Sequence, residues 1–234
     1  MTHPRLVEAM LRPGFYPHRP ETVELVQTHI SFVFIAGDRV YKVKKAVGFG
    51  FLDFTTLEKR MHYCREELRL NRRLAPEAYL EVASIGQDEA GEIRLGAGRP
   101  VDYAVVMKRL PRERMLKRLL AEGKVPRGTM DAVARKVAAF HATADTGGEI
   151  DECGGIETIR RNHDENFEQT ATYVGITLPR SRYDFLKAWV NRYLDRERQL
   201  FEKRVEEHRI RDCHGDLHAE HICLTDGIVI FDCI

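Results

Sequence analysis

The sequence lacks the features that direct a protein into or onto a membrane. No apolar run approaches the roughly 18 residues needed to cross a bilayer. The start of the chain, MTHPRLVEAMLRPG, has no apolar segment of the kind found in signal peptides. The 37 basic and 36 acidic side chains nearly cancel, so no overall field favours nucleic acid or an anionic surface. These absences predict a cytoplasmic protein that binds neither membranes nor nucleic acids.

Cysteine is also scarce, and its spacing excludes two kinds of site. The five cysteines are odd in number, scattered, and include no Cys-x-x-Cys pair. This pattern is typical of reduced thiols and argues against a disulfide framework or a thiolate zinc site. The sequence contains no internal repeat, and 234 residues are enough to bury a large core in one domain or two lobes.

The first half of the chain has the pattern of a small antiparallel sheet with one long helix. The run VELVQTHISFVFIAGDRVYKVKKAV (23–47) is rich in β-branched and aromatic residues and predicts three strands. A helix is predicted over 55–76, with Thr55 and Glu58 as a capping box. Further strands are predicted near 80–86, 91–95 and 101–110.

The second half is mostly helical. Helices are predicted over 113–121, 129–144, 155–173 and 181–207, with short strands at 221–225 and 228–231. The change of character near Leu110-Pro111 divides the chain into residues 1–110 and 111–234. The sequence therefore predicts an α+β, two-lobed architecture.

A hairpin closes the chain and places several polar side chains near one another. The segment CHGDLHAEHICLTDGIVIFDCI has two apolar runs separated by Asp226-Gly227, which favours a two-residue type I′ turn. Counting outward from this turn predicts that His221 lies opposite Asp232. Asp216 lies in the loop before the hairpin. Phosphoryl transfer needs one carboxylate to accept the proton of the attacking hydroxyl and another to hold Mg²⁺. Asp216 and Asp232 fit these two roles.

The run HGDLHAEHI followed by IVIFD resembles the catalytic segment of the aminoglycoside phosphotransferase and choline kinase family, whose fold is similar to that of protein kinases. The wider sequence, over residues 20–234, resembles an uncharacterised bacterial branch of predicted kinases in this family. The resemblance implies transfer of the γ-phosphate of ATP to a hydroxyl of a small molecule, with Mg²⁺, Asp216 as the catalytic residue and Asp232 as a metal ligand. His221 occupies the position of the family's Asn. The imidazole nitrogen of a histidine suits Zn²⁺ or Mn²⁺ better than Mg²⁺. Either the second metal is held differently, or His221 only hydrogen-bonds to Asp216 or Asp232; His221 is also a candidate metal ligand beside Asp232.

A kinase-like site also needs a strand lysine for the phosphates and a helix glutamate that orients it. In RVYKVKKA, alternation places Lys42 and Lys44 on one face of the strand; we choose Lys42, with Lys44 in reserve. Helical geometry places Glu67 beside the apolar stripe of its helix and Glu66 toward water. The resemblance implies that backbone groups near Met107–Arg109 contact adenine.

Two other functions stay open. One is a nucleotide-binding module without transferase activity, suggested by His221. The other is a metal-dependent hydrolase that uses His214, Asp216, His218 and His221, although the family uses His214 to support the loop. Some members of the similar branch carry a P-loop kinase domain further on, and family members have helices after the position of Asp232. We therefore expect a further C-terminal segment in the same polypeptide.

Overall fold

The computed structural model describes residues 4–49 and 52–234, which form two compact units. The first unit comprises the chain up to Val137 together with His214–Ile234, and the second comprises Ala138–Cys213. Every strand among the described residues lies in the first unit, whereas the second unit is helical. The predicted α+β class is confirmed, while the division into residues 1–110 and 111–234 stays a prediction.

The first unit follows the predicted order of elements. Its helices are α1 (Pro4–Met10), α2 (Leu57–Arg72), α3 (Leu116–Ala121) and the first part of α4 (Thr129–Thr143). Its strands are β1 (Val23–Gln27), β2 (Ser31–Ala36), β3 (Arg39–Lys44), β4 (Gly48–Phe49), β5 (Leu52–Asp53), β6 (Tyr79–Gln87), β7 (Ile93–Leu95), β8 (Arg99–Lys108), β9 (Ile222–Leu224) and β10 (Ile228–Ile230). Short 3₁₀ turns occur at Pro13–Phe15, Arg112–Arg114 and Ala219–His221.

A six-stranded antiparallel sheet, in the order β1-β2-β3-β8-β6-β7, organises this unit. Successive side chains of a strand point to opposite faces, so the sheet has two apolar sides. One side includes Phe34 and Tyr41 and packs against α1. The other includes Tyr79 and packs against α2 and the closing hairpin. Because Tyr41 faces α1, Lys42 and Lys44 face the side that carries α2 and the hairpin.

The start of α2 differs from the prediction by one residue. The N-cap is Thr56, whose hydroxyl accepts a hydrogen bond from the backbone N–H of Lys59 at 3.2 Å. The capping box predicted at Thr55 is wrong, because Thr55 donates its N–H and hydroxyl to the Asp53 carboxylate at 2.9 and 2.6 Å. This local turn delays the helix, which also ends earlier than predicted, at Arg72.

The closing hairpin is confirmed, but its turn is longer than predicted. Leu224 pairs with Ile228, so three residues form the loop instead of two. Asp226 and Gly227 do not have the positive φ angles that a type I′ turn requires. Instead, Thr225 closes the loop by donating its backbone N–H to the carbonyl of Gly227 at 2.9 Å. Every predicted cross-strand pair is therefore displaced by one residue.

The second unit consists of the end of α4 and four further helices. These are α5 (Glu149–Gly154), α6 (Ile156–Thr170), α7 (Arg180–Arg196) and α8 (Arg198–Glu206), with a 3₁₀ turn at Ala171–Tyr173. The single helix predicted over 181–207 is broken at Glu197, where φ is −95° and ψ is 12°. Helix α5 was not predicted. Across residues 4–49 and 52–234, no helix is both long and apolar enough to cross a membrane.

Candidate active site

Lys42, Glu67 and Asp232 form one ion-paired group, although they come from β3, α2 and the residues after β10. The Lys42 Nζ atom lies 2.6 Å from Asp232 Oδ1 and 2.9 Å from Glu67 Oε1. Burial by itself would lower the pKa of Lys42, but the Glu67 and Asp232 carboxylates outweigh it and raise that pKa. The lysine is therefore held in its charged form, as phosphate binding requires.

Glu67 carries a second ion pair, to Lys44. The Lys44 Nζ atom lies 2.6 Å from Glu67 Oε2 and 4.7 Å from the centre of the Phe54 ring. Both Lys44 and Glu67 are buried, at 6% and 8% exposure. Burial would raise the pKa of Glu67, but the two lysines hold it below its usual range. The structure thus brings both candidate lysines to one carboxylate.

Glu67, and not Glu66, is the glutamate that α2 turns toward the sheet. Glu66 lies on the outer side of the helix and pairs with Arg69, at 2.8 Å. This placement agrees with the helical geometry used to choose between the two residues. The roles of Lys42 and Glu67 in nucleotide binding stay a prediction.

Asp232 is fixed by its own backbone and by that of the next residue. Its φ angle is +62°, a left-handed conformation that is uncommon for a residue with a side chain. The N–H of Asp232 donates to the Tyr79 hydroxyl at 3.2 Å. The side-chain amide of Asn71 accepts from the N–H of Cys233 at 2.7 Å and donates to its carbonyl at 3.1 Å. Lys42 then holds the pKa of the Asp232 carboxyl below its usual value, against the opposite effect of burial.

Sequence reasoning missed Asn71 and Tyr79 as parts of this site. Asn71 is fully buried, at 0% exposure, and follows Glu67 by one helical turn, so both occupy the same face of α2. An asparagine on the inward face of a helix must find hydrogen-bond partners. That rule was the available signal for Asn71. Tyr79 gave no comparable signal.

The loop before the hairpin is attached to the Asp232 strand by His214. Its Nδ1 atom accepts from the N–H of Asp216 at 3.3 Å, which leaves the proton on Nε2, and Nε2 donates to the carbonyl of Phe231 at 3.0 Å. Burial, opposed by the bond to Phe231, lowers the pKa of His214, so the neutral ring is favoured. Gly215 has a φ of +84°, and a Cβ atom there would lie only 2.7 Å from a side-chain atom of Ile234. His214 therefore supports the loop, as the resemblance implied.

His221 lies between Asp216 and Asp232. The hairpin places it opposite Phe231, whose N–H donates to the His221 carbonyl at 3.0 Å, so the predicted pairing with Asp232 is wrong. The left-handed turn at Asp232 nevertheless brings Asp232 Oδ2 to 3.6 Å from His221 Nε2. The other ring nitrogen, Nδ1, donates to the backbone carbonyl of Asp216 at 2.8 Å.

The Asp216 carboxylate is the exposed part of the site, with 51% of its side chain accessible. Its Oδ2 atom lies 3.6 Å from His218 Nε2 and 3.8 Å from His221 Nδ1. Ligand atoms of Asp216, His218 and His221 lie within 4.8 Å of one another, which is compatible with a metal ion. His218 Nδ1 accepts from the Glu220 N–H at 3.2 Å, however, so its Nε2 carries a proton and faces Asp216 with no lone pair to offer. His214 uses both ring nitrogens on the backbone, so the hydrogen bonds do not favour the four-residue hydrolase site.

The residues expected to contact adenine, Met107–Arg109, lie at the end of β8 and directly after it. Met107 pairs with Val40 in β3 and with Tyr79 in β6. Val40 is two residues before Lys42, so both lie on the same face of β3. The Arg109 N–H donates to the carbonyl of Asp38 at 2.8 Å. Contact between adenine and Met107 or Arg109 stays a prediction.

A cavity of about 410 Å³ opens beside the ion-paired group. Its polar lining includes Lys42, Lys44, Glu67 and Asp232, and its apolar lining includes Ile30, Leu52, Phe54 and Ile234. A larger cavity of about 540 Å³ in the helical unit contains none of the predicted site residues. A third cavity, of about 590 Å³, is lined by Arg109 but by none of the three residues of the ion-paired group. That group therefore lines the cavity of about 410 Å³.

Comparison with known proteins identifies the family. The model of the phosphotransferase enzyme family matches residues 36–233, a stretch that begins just before Lys42 and includes Asp232. The chain belongs to this family. The predicted resemblance is thereby confirmed, together with the protein-kinase-like α+β fold.

Similar proteins occur in mycobacteria. Uncharacterized proteins of Mycobacterium bovis and of two strains of Mycobacterium tuberculosis are each 32% identical to this phosphotransferase family member over 213 residues. The alignment covers 91% of this chain but 41% of each relative. The chain thus spans about two-fifths of the length of these relatives.

Proposed function

We propose that this phosphotransferase family member transfers the γ-phosphate of ATP to a hydroxyl group of a small molecule. The observation that carries the proposal is the ion-paired group of Lys42, Glu67 and Asp232, which combines a phosphate-binding cation with a metal-binding carboxylate. In this proposal residues 1–110 contact the nucleotide phosphates, and residues 111–234 supply the catalytic loop and the metal ligand.

The residues present fit a magnesium–nucleotide complex in two respects. Asp232 offers a carboxylate oxygen, the type of ligand that Mg²⁺ prefers, and 37% of its side chain is exposed. The cavity beside it is lined by Lys42 and Lys44 and contains enough space for a phosphate chain. When bound, Mg²⁺ neutralises the charge of the phosphate oxygens.

Each residue then has a distinct task. Lys42 leaves the Asp232 carboxylate and pairs with the phosphate oxygens. Glu67 keeps its position because Lys44 remains paired with Glu67 Oε2. Asp216 accepts the proton of the acceptor hydroxyl, and its exposure leaves it open to the acceptor. Backbone groups at Met107 and Arg109 contact adenine. Catalysis depends mainly on positioning and electrostatic stabilisation.

Calorimetric titration of ATP tests the nucleotide site. We expect the wild-type chain to bind ATP in a Mg²⁺-dependent manner and Asp232→Ala to lose that dependence. Circular dichroism of the variant checks that it is folded. Binding that is indifferent to both Mg²⁺ and Asp232, or no binding to the folded chain, would contradict the proposal. If binding is as expected, a screen of sugars, amino alcohols and nucleosides follows.

The presence of His221 at the family's Asn position favours a second candidate, a nucleotide-binding module without transferase activity. Its imidazole would replace an amide oxygen at the metal. Nucleotide binding without transfer to any acceptor, restored to transfer by His221→Asn, would support this candidate over the first.

A further inference from the structure

We propose that His221 and Asp232 bind a single divalent cation and that their imidazole-carboxylate pair selects transition metals such as Co²⁺ or Zn²⁺ over Mg²⁺. The inference deepens the proposed function, on which it rests for the role of Asp232 at the metal. It concerns which metal this particular chain accepts.

The hydrogen bond at Nδ1 determines which atom of His221 can bind a metal. A carbonyl can only accept, so the Nδ1 atom that contacts the Asp216 carbonyl at 2.8 Å carries the ring proton. The nitrogen left to bind a metal is then Nε2, and it faces Asp232 Oδ2 at 3.6 Å. With Nε2 free of a proton, both atoms are electron-pair donors, and one cation between them would bind both.

The separation of these two atoms fits joint coordination. Ligand bonds of about 2.0–2.2 Å at a tetrahedral zinc ion place neighbouring nitrogen and oxygen ligands about 3.4 Å apart. The observed 3.6 Å is close to this value. A metal-binding histidine also commonly donates its other N–H to a backbone carbonyl, which fixes the ring. Asp216 provides that carbonyl here.

The Asp232 carboxylate, like the His221 ring, is held in place before a metal ion binds. Lys42 occupies Oδ1 of Asp232, so Oδ2 is the oxygen directed at His221. Tyr79 and Asn71 hold the backbone on either side of this carboxylate. The ligand pair therefore needs little rearrangement to accept an ion.

The chemistry of the pair determines the metal. Mg²⁺ prefers oxygen ligands and near-ideal octahedral geometry. Imidazole nitrogen suits later first-row divalent ions, whose affinities rise through Co²⁺ toward Cu²⁺. Replacing an amide oxygen with an imidazole nitrogen therefore shifts the preference away from Mg²⁺.

A titration with Co²⁺ alone, without nucleotide, tests the inference on the full chain. Visible absorption of bound Co²⁺ reports its coordination, and competition with Mg²⁺ gives the ratio of the two affinities. In His221→Asn we expect this ratio to fall by about ten-fold or more, since even the loss of an outer hydrogen-bond partner at a metal site costs 10–100-fold. The visible spectrum of the remaining complex should also change.

His218→Asn is the matched control, because Asn preserves the N-cap acceptor that His218 provides to Glu220. We expect it to keep the wild-type affinity ratio. An equal fall of the affinity ratio in His218→Asn would indicate that the metal is bound by Asp216, His218 and His221, and would overturn the inference. An unchanged ratio in His221→Asn, or a folded wild-type chain that does not bind Co²⁺, would also overturn it.

A parallel titration with a fluorescent ATP analogue separates this inference from the proposed function. Co²⁺ selectivity that depends on His221, in a chain that binds no nucleotide, would support the metal pair and contradict the kinase proposal. Nucleotide binding with a Co²⁺-to-Mg²⁺ affinity ratio that is the same in wild type and in His221→Asn would support the kinase proposal and contradict the metal pair.

Discussion

The two halves of the candidate site are held together by different interactions. The group around Glu67 consists of buried charges, with two lysines on one carboxylate. The loop around Asp216 is exposed and is held by hydrogen bonds from the His214 and His221 rings to backbone carbonyls. Buried charges fix the side that we propose binds phosphates, whereas the side that we propose admits the acceptor is open to water. The two halves should therefore respond differently to substitution.

Glu67→Gln should have the largest effect on stability. It leaves Lys42 and Lys44 close together without their shared counter-charge, and breaking a buried ion pair in this way costs about 3–5 kcal/mol. Urea denaturation at neutral pH measures the free energy of unfolding. Glu66→Gln is the matched control on the same helix, and its exposed pair contributes about 0–1 kcal/mol.

Adding Lys44→Met to Glu67→Gln sharpens this test. The double variant should recover part of the lost stability, because it removes the buried charge of Lys44, whereas Lys42 keeps its ion pair with Asp232. Equal losses in Glu67→Gln and Glu66→Gln would show that the buried charges do not hold this half together.

An intermediate effect is expected from His214, and it depends on pH. Because its pKa is lowered in the folded protein, its contribution is complete above the unfolded value of about 6.5 and is lost as pH falls through the folded value. The wild type should therefore lose stability as pH falls below about 6.5, and His214→Asn should lose less over the same interval. Urea midpoints at several pH values measure the slope. The exposed His29→Asn should keep the wild-type slope, and an unchanged slope in His214→Asn would argue against a buried neutral ring.

The smallest effect on stability is expected from Asp216→Asn. Its side chain is half exposed, so the free energy of unfolding should change by less than about 0.5 kcal/mol. Phosphoryl transfer should nevertheless be lost while ATP binding persists, because the variant has no carboxylate to accept the proton. Asp226→Asn in the hairpin loop is the control and should leave transfer intact. Destabilisation as large as that of Glu67→Gln would remove the contrast between the two halves.

Local patterns were sufficient to predict most of the elements and several of the contacts, but not α5 or the break between α7 and α8. Helical periodicity distinguished Glu67 from Glu66, and strand alternation placed Lys42 and Lys44 on one face. Alternation could not choose between the two lysines, because both positions are equivalent until α2 packs against the strand. The structure brings both to Glu67.

The differences arose where a side chain competed for a local backbone group. Thr225 closes a three-residue loop and Asp53 binds Thr55, so the hairpin register and the start of α2 each moved by one residue. The contacts of Asn71 with Cys233 join residues 162 positions apart and depend on tertiary packing. No local pattern contains that information.

Helix α2 carries Glu67 and Asn71 one turn apart on the same face, and this spacing has a dynamic consequence. Glu67 forms an ion pair with Lys42, while the Asn71 side chain accepts a hydrogen bond from the backbone N–H of Cys233, next to Asp232. An outward displacement of α2 would break both contacts together. Lys42 and the backbone beside Asp232 would then lose these contacts at the same time, so the position of α2 affects both members of the ion pair together.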